Sequence, residues 1–110
     1  MTGPLTPAVF HILLALAGGR LHGYAISKEV HRQSGGEVRM GPGTLYGTLQ
    51  RLLEQGWVAV SDSPEGVDER RRYYRLSGLG KRALEEEVQR MDGLVRAARS
   101  ARVKLRPTKA

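Results

Sequence analysis

The segment from Met40 to Leu76 constrains the fold more than any other part of the chain. It opens with a proline, continues with apolar residues at helical spacing and reaches a stop at Gly56. A short apolar stretch, an acidic turn and an arginine-rich stretch follow. An amphipathic helix before a two-stranded hairpin with one basic strand is typical of the recognition helix and wing of a winged helix-turn-helix. The segment therefore predicts this fold, with binding to duplex DNA as the leading hypothesis.

Three further helices are predicted outside this segment. Pro7 follows a threonine, and a hydroxyl N-cap with proline at the first helical position favours a helix start. The second helix runs from about residue 22 to residue 33, with four residues facing inward: Tyr24, Ala25, Ile26 and Val30. The last helix begins after Ser77 and runs to about residue 99 or 102. The expected order is helix, helix, helix, strand, strand, helix.

The predicted fold class is mostly α with a small β-hairpin (α+β). We expect residues 1–76 to form the winged helix-turn-helix, residues 77–102 a C-terminal dimerisation helix, and residues 103–110 a disordered basic tail. A chain of 110 residues, 40% of them hydrophobic, builds one modest core. Such a core is marginal alone and often gains from a partner subunit.

The third helix has an apolar stripe of leucines and an opposite face that suits DNA. That opposite face carries glycine and polar residues, which predicts five DNA-contacting residues: Thr44, Tyr46, Gly47, Gln50 and Arg51. Gln and Arg can bind adenine and guanine edges through two hydrogen bonds, and hydroxyl groups suit phosphate oxygens. A bare glycine allows a close approach to the groove; the alternative is that Gly47 is merely tolerated in the helix, at a cost of roughly 1 kcal/mol relative to alanine. The alternative for Gln50 and Arg51 is an ordinary solvated helix face.

The hairpin carries four arginines in its second strand, Arg70, Arg71, Arg72 and Arg75. We expect Arg70, Arg71 and Arg72 to contact DNA, since wing arginines can grip phosphates or enter the minor groove. The alternative is that some of them pair with the acids of the turn. Tyr73 and Tyr74 are expected to pack within the hairpin. The net charge of +7 is weaker evidence, because six cations and no acid lie in residues 96–110, which leaves +1 for the rest.

The last helix carries apolar residues at spacings of four, three, four and three: Leu84, Val88, Met91, Val95 and Ala98. This heptad-type stripe could cover the core of its own subunit or the same helix of a second subunit. The second option is favoured, because the stripe continues past the reach of a small core. A two-fold dimer would present two recognition helices to a pseudo-palindromic operator.

Several other classes of protein receive no support from the sequence. The chain has no cysteine, and its three histidines lack neighbouring ligand residues at metal-site spacing, so no metal or cofactor is expected. Phosphate loops, nucleophile elbows and paired carboxylates are also missing, so an enzyme is not expected. The apolar first helix has no basic residue before it and is too short to span a bilayer. We therefore expect a cytoplasmic protein without a membrane partner.

These motifs together resemble the PadR family of bacterial transcriptional regulators, over about residues 5–94. The matching segments, in chain order, are Leu5-Thr6, His22-Gly23-Tyr24, Gly43-Thr44-Leu45-Tyr46, Leu49 with Arg51-Leu52, residues 54–57, and Arg72-Tyr73-Tyr74-Arg75-Leu76-Ser77 with Gly80. The resemblance implies a homodimer built through the C-terminal helix, usually a repressor of nearby genes. It places Tyr46 and Arg51 on the recognition helix and residues 70–72 on the wing. Gly47 departs from the family, which often has proline there.

The single C-terminal helix is similar to the short branch of that family, whose members sense varied small molecules or none known. The expected function is therefore a homodimeric, sequence-specific DNA-binding repressor that a small-molecule effector releases from DNA. A different class stays open: a winged-helix protein-interaction module whose basic tail binds nucleic acid separately. Binding of RNA or a membrane surface through the tail alone is a third option.

Overall fold

The computed structural model describes residues 3–64 and 71–106. Within these ranges the chain forms four helices and a three-stranded antiparallel sheet. The elements are α1 (Pro7–Ala17), β1 (Leu21–His22), α2 (Gly23–Gln33), α3 (Pro42–Gln55), β2 (Val58–Ser61), β3 (Tyr73–Leu76) and α4 (Gly78–Ser100). This arrangement confirms the predicted α+β class.

The helix ends follow the capping residues of the sequence. The Thr6 hydroxyl accepts a hydrogen bond from the backbone N–H of Val9 at 3.3 Å, which caps α1. Gly56 ends α3 in the left-handed conformation, with φ of 77°, which glycine adopts without a steric penalty. The Ser77 hydroxyl accepts from the N–H of Gly80 at 3.0 Å and caps α4. Each of these three ends could be placed from the sequence.

The end of α3 and the start of α4 meet at one point, the α3–α4 junction, formed by Gly56, Trp57, Ser77 and Gly80. The Ser77 hydroxyl donates to the carbonyl oxygen of Gly56 at 2.6 Å, and the Ser77 N–H donates to the carbonyl oxygen of Trp57 at 3.0 Å. Gly80 packs directly on the Trp57 carbonyl group, where a Cβ atom would overlap the oxygen. These hydrogen bonds and the packing of Gly80 on the backbone therefore fix the end of α3 to the start of α4.

The sheet has the strand order β1-β3-β2, with one strand more than the sequence predicted. β1 consists of Leu21 and His22, which pair with Tyr74 and Tyr73 respectively. Two residues are too few to show the alternation by which strands are recognised, so this strand was missed. Its pairing holds the start of α2 against the hairpin.

The sequence predicts hairpin strands over residues 57–60 and 70–76. β2 has the predicted length but is shifted by one residue, to Val58–Ser61. β3 is shorter than predicted and begins at Tyr73, so Arg71 and Arg72 precede the strand. Tyr74 belongs to the core, and Tyr73, on the opposite side of the strand, is also buried. Its ring lies edge-on against that of His22, with ring centroids 5.4 Å apart. Both tyrosines thus pack within the fold, as expected.

The core lies between α1, α2, α3 and the sheet. Its fully buried side chains are Ile12, Leu13, Ile26, Val30, Thr48, Leu49 and Leu52. The prediction that Tyr24 faces inward is wrong, because its side chain is 67% exposed. Tyr24 precedes Ile26 by two positions, which places it about 200° away around the helix, on the solvent side.

The long helix α4 is buried only in its first half. Leu84 belongs to the core of its own chain and Glu87 is also buried, whereas Val88 and Leu94 are exposed. Leu84 therefore does not extend the predicted dimerisation stripe: its partners are in the same subunit. The buried Glu87 carboxylate forms an ion pair with Arg90 at 2.8 Å and accepts the backbone N–H of Leu5 at 3.2 Å. Within residues 3–64 and 71–106, every helix is too short or too polar to cross a membrane.

Candidate nucleic-acid interface

Helix α3 separates a buried face from an exposed one, as its leucine spacing predicts. Its buried residues are Leu45, Thr48, Leu49 and Leu52. Thr44, Tyr46, Gln50 and Arg51 are exposed together on the solvent side. No atom lies within 4 Å of the position that a Cβ would take at Gly43 or Gly47. The helix therefore presents a smooth surface between polar side chains, and a duplex groove could approach its backbone closely.

Tyr46 is held over the start of α2. A Cβ atom at Gly23 would overlap the hydroxyl group of Tyr46, so only glycine leaves room for the ring there. The Tyr46 side chain is nonetheless half exposed, at 50%, so the contact fixes the ring without burying it. The sequence analysis did not identify Gly23 as a site residue. A glycine at the first position of a helix could have indicated that another group, here the Tyr46 ring, packs closely against the backbone.

Among the described residues, Gln50 and Arg51 on the exposed face of α3 make only long side-chain hydrogen bonds. The Nη2 atom of Arg51 donates to the hydroxyl of Thr48 at 3.3 Å. The Nε2 atom of Gln50 donates to Glu54 Oε1, also at 3.3 Å. Hydrogen bonds of this length are weak, so base edges could compete for both side chains.

Of the wing arginines, Arg71 and Arg72 precede β3 and belong to no helix or strand, whereas Arg75 lies in β3. Arg71 and Arg72 are exposed, and Arg70 lies outside the described residues. The guanidinium carbon of Arg72 lies 5.7 Å from the ring centroid of Tyr74, a distance typical of a cation–π contact. Within residues 3–64 and 71–106, no ion pair involves Arg71, Arg72 or Arg75. These charges are therefore not neutralised by the part of the protein that is described.

Two exposed residues of α2 were missed as candidates. Tyr24 is on the solvent side, and the ammonium nitrogen of Lys28 lies 5.4 Å from its ring centroid. In a helix-turn-helix the helix before the recognition helix crosses the DNA backbone, so an exposed lysine there was a usable signal. Tyr24 was instead assigned to the core.

His22 joins β1, α2 and the wing. Its Nδ1 atom lies 3.2 Å from the backbone nitrogen of Ala25, at the N-cap position of α2, and its Nε2 atom lies 3.0 Å from Nη1 of Arg71. Burial, and then the positive charge of Arg71, lower the pKa of His22 from its ordinary value of 6.5. The folded state therefore favours the neutral ring.

We expect acid to destabilise the protein through His22. The unfolded state binds the proton more readily, so the contribution of His22 is fully present above pH 6.5 and is lost as the pH falls through the lower pKa of the folded state. Thermal unfolding between about pH 7.5 and 5.5 should show a falling midpoint. His22→Asn keeps a capping side chain without a titratable ring and should flatten this slope. His31→Asn, at an exposed position of α2, is the matched control. Equal slopes in the wild type and His22→Asn would contradict the assignment.

The remaining question about this surface is which kind of ligand its side chains could bind. Among the described residues, no group of three or more histidine, aspartate or glutamate side chains is arranged to hold a metal ion. The interface is built from arginines, hydroxyl groups, an amide and exposed glycines. These groups fit an anionic polymer with hydrogen-bonding edges.

Comparison with known protein sequences gives two informative relatives. The transcriptional regulator Rv3488 of Mycobacterium tuberculosis is 36% identical over 86 residues, which cover 78% of this chain and 77% of that protein. An uncharacterised 37.1 kDa protein in transposon TN4556 of Streptomyces fradiae is 41% identical over 80 residues. That match covers 73% of this chain, which spans about a fifth (21%) of the Streptomyces protein.

Solved structures share the fold. A PadR family transcription regulator from Clostridium difficile superposes with a TM-score of 0.72 at 25% identity, over 86% of this chain and 97% of that one. Bacillus subtilis PadR in complex with operator DNA gives 0.62 at 20% identity, over 92% and 49%. Bordetella bronchiseptica BpsR, whose DNA binding is regulated by 6-hydroxynicotinic acid, gives 0.68 at 26% identity, over 84% and 60%.

The family assignment rests on the sequence itself. The model of the transcriptional regulator PadR-like family matches residues 12–86, which contain α2, α3, the hairpin and the start of α4. Because this match and the Mycobacterium relative each cover most of the chain, the chain belongs to the PadR-like family of transcriptional regulators.

Proposed function

We propose that this chain is a sequence-specific DNA-binding regulator that acts as a homodimeric repressor and is released by a small-molecule effector. The observation that carries the proposal is the exposed face of α3, where Gln50 and Arg51 flank a surface left bare by Gly43 and Gly47. The buried leucines on the other side hold this face rigidly on the core. Rigid placement is what direct reading of base edges requires.

In the proposed complex α3 lies in the major groove. Arg51 binds a guanine edge, and Gln50 binds an adenine edge once its contact with Glu54 is exchanged. The hydroxyl groups of Thr44 and Tyr46 bind phosphates at the sides of the groove. Gly47 has no neighbour that would prevent contact between the helix backbone and the DNA.

The wing completes the proposed interface. Arg70, Arg71 and Arg72 bind phosphates or enter the minor groove beside the site that α3 reads. The exposure of Arg71 and Arg72 supports this role. The turn acids Glu65, Asp68 and Glu69, the alternative partners, lie outside the described residues. Residues 1–76 then act as the DNA-binding unit and residues 103–110 as a basic tail.

The proposed dimer forms through residues 77–102. Beyond Leu84 the apolar stripe of α4 continues with Val88, Met91, Val95 and Ala98. Val88 is 46% exposed and Val95 is 38% exposed, so the stripe lacks a cover within the described chain. A second α4 would bury it, and the two-fold axis would place two copies of α3 on the half-sites of a pseudo-palindromic operator.

Release by an effector is proposed because a suitable cleft exists at the base of the DNA-binding unit. The cleft has a volume of about 510 Å³, within the usual range for small-molecule sites. Its lining contains apolar residues, Leu76 among them, and three cations, Arg20, Arg75 and Lys81, against one acid, Glu85. Such a lining favours a small organic anion. BpsR, a neighbour in fold, is itself regulated by a small organic acid.

The decisive experiment is a DNA titration with the promoter upstream of the protein's own gene and with random DNA, across a salt series. The proposal expects a selective complex with two protomers per site. A variant that ends at residue 102 removes the basic tail and serves as the control. Weak binding that is equal on both DNAs and disappears with the tail would instead support a protein-interaction module with a separate nucleic-acid-binding tail.

Arg51→Ala should weaken binding to the operator by about 10- to 100-fold, the usual effect of losing one bidentate base contact. Binding to random DNA should change little, because the phosphate contacts remain. The measurement is a parallel titration of both DNAs at one salt concentration. Arg82→Ala removes an equally exposed arginine from α4 and should leave both affinities unchanged. Equal losses on operator and random DNA would show that Arg51 does not read bases.

A further inference from the structure

His22 has two polar contacts that cannot both be hydrogen bonds at the same time. Its Nδ1 atom faces the N–H of Ala25, and its Nε2 atom faces the guanidinium group of Arg71. Both neighbours only donate hydrogen bonds. A neutral imidazole has one nitrogen that accepts and one that donates. Each tautomer of His22 therefore satisfies one neighbour and presents a proton to the other.

The imidazole ring of His22 is held in place, so it can change tautomer without rotating. It lies edge-on against Tyr73 at a centroid distance of 5.4 Å, and the backbones of the two residues pair in the sheet. With the ring fixed in this way, the position of one proton decides the outcome. Nδ1–H favours the contact with Arg71 and removes the cap of α2, whereas Nε2–H restores the cap and repels Arg71.

We propose that His22 is a positioning residue of the DNA interface that couples the wing arginine Arg71 to the N-cap of α2. In the free protein His22 accepts a hydrogen bond from Arg71 and leaves α2 partly uncapped. When Arg71 moves to a phosphate, the proton shifts to Nε2 and Nδ1 caps α2. This inference rests on the proposed function, because it assigns a phosphate to Arg71.

The coupling acts on the part of the molecule that must be ordered for recognition. Gly23, the first residue of α2, supports the ring of Tyr46 on the recognition helix. A firm cap at His22 therefore steadies the surface against which Tyr46 is held. Binding of Arg71 to a phosphate and firmer positioning of Tyr46 on α3 would then occur together.

The test follows the tautomer of His22 by nitrogen NMR of the imidazole ring, at about pH 8, where a histidine is neutral. Three samples are compared: the free protein, free Arg71→Ala, and the wild type bound to operator DNA. We expect the Nδ1 resonance to shift toward that of an unprotonated nitrogen in the second and third samples. Hydrogen exchange of the Ala25 amide should slow by about fivefold in both, the factor expected for one helix cap.

Arg72→Ala is the matched control, because it removes a neighbouring wing arginine that lies over Tyr74 and not over His22. It should leave the His22 tautomer unchanged. The same tautomer in the wild type and Arg71→Ala would overturn the inference, whatever happens with DNA. Normal operator affinity in Arg71→Ala, with the tautomer shifted, would overturn the phosphate role of Arg71 and its link to DNA, while the contact in the free protein would stand.

Discussion

Gly80→Ala is expected to cost about 3 kcal/mol in the free energy of unfolding, at the upper end of the range for an overpacked core. The new methyl group would overlap the carbonyl oxygen of Trp57 and lie 2.9 Å from its carbonyl carbon. Because this obstacle is backbone and not a mobile side chain, the start of α4 or of β2 has to move. Thermal unfolding should show a midpoint lower by more than about 10 °C.

Gly78→Ala provides the control for this substitution. Gly78 begins the same helix, and no atom lies within 4 Å of the position of its missing Cβ. Alanine there should change the midpoint little or raise it slightly, since alanine favours helix. If both variants unfold at the same temperature, the tight packing at the α3–α4 junction does not contribute to stability.

Met91→Asp is expected to separate the proposed dimer into monomers. An uncompensated charge in an interface costs about 3 kcal/mol or more, which corresponds to at least about a hundredfold increase in the dimer dissociation constant. Met91 lies on the stripe between Val88 and Val95, so the charge would enter the interface once from each subunit. Sedimentation velocity over a range of concentrations measures the change in mass.

The matched control is Gln89→Asp, which introduces the same charge two residues earlier on an exposed part of α4. Two positions correspond to about 200° around the helix, so this side chain points away from the stripe. It should leave the mass unchanged. A wild-type mass in Met91→Asp would show that the subunits meet elsewhere or not at all. Loss of operator binding together with the dimer would further support the two half-site arrangement.

The parts of the fold that depend on local chemistry could be predicted from the sequence. Helix α3 was recognised because its leucines repeat at helical spacing, and its end at Gly56 because glycine adopts the left-handed conformation. Thr6 and Ser77 marked two helix starts through their capping hydroxyl groups. The face of α3 that carries Arg51 followed from the same periodicity. None of these predictions needed information about distant residues.

The parts that depend on contacts between distant residues could not be predicted. β1 exists because two residues pair with Tyr73 and Tyr74, about fifty positions later, and leaves no pattern of its own. The burial of Leu84 depends on how α4 leans on α1, so the spacing of its stripe could not show which subunit covers it. The link from His22 to Arg71 likewise joins residues that only the folded sheet brings together.

The α3–α4 junction has a consequence for the geometry of any operator. α4 contains 23 residues and is therefore about 35 Å long, and its N-cap residue Ser77 is hydrogen-bonded to Gly56, the residue that ends α3. In a dimer built through α4, each α3 would therefore move as one rigid unit with the α4 of its own subunit. A change of a few degrees in the angle between the two α4 helices would change the distance between the two α3 helices along the duplex. In the proposed dimer, the centre-to-centre distance of the half-sites would therefore depend on the crossing angle of the two α4 helices, and the proposed effector would act by changing that angle.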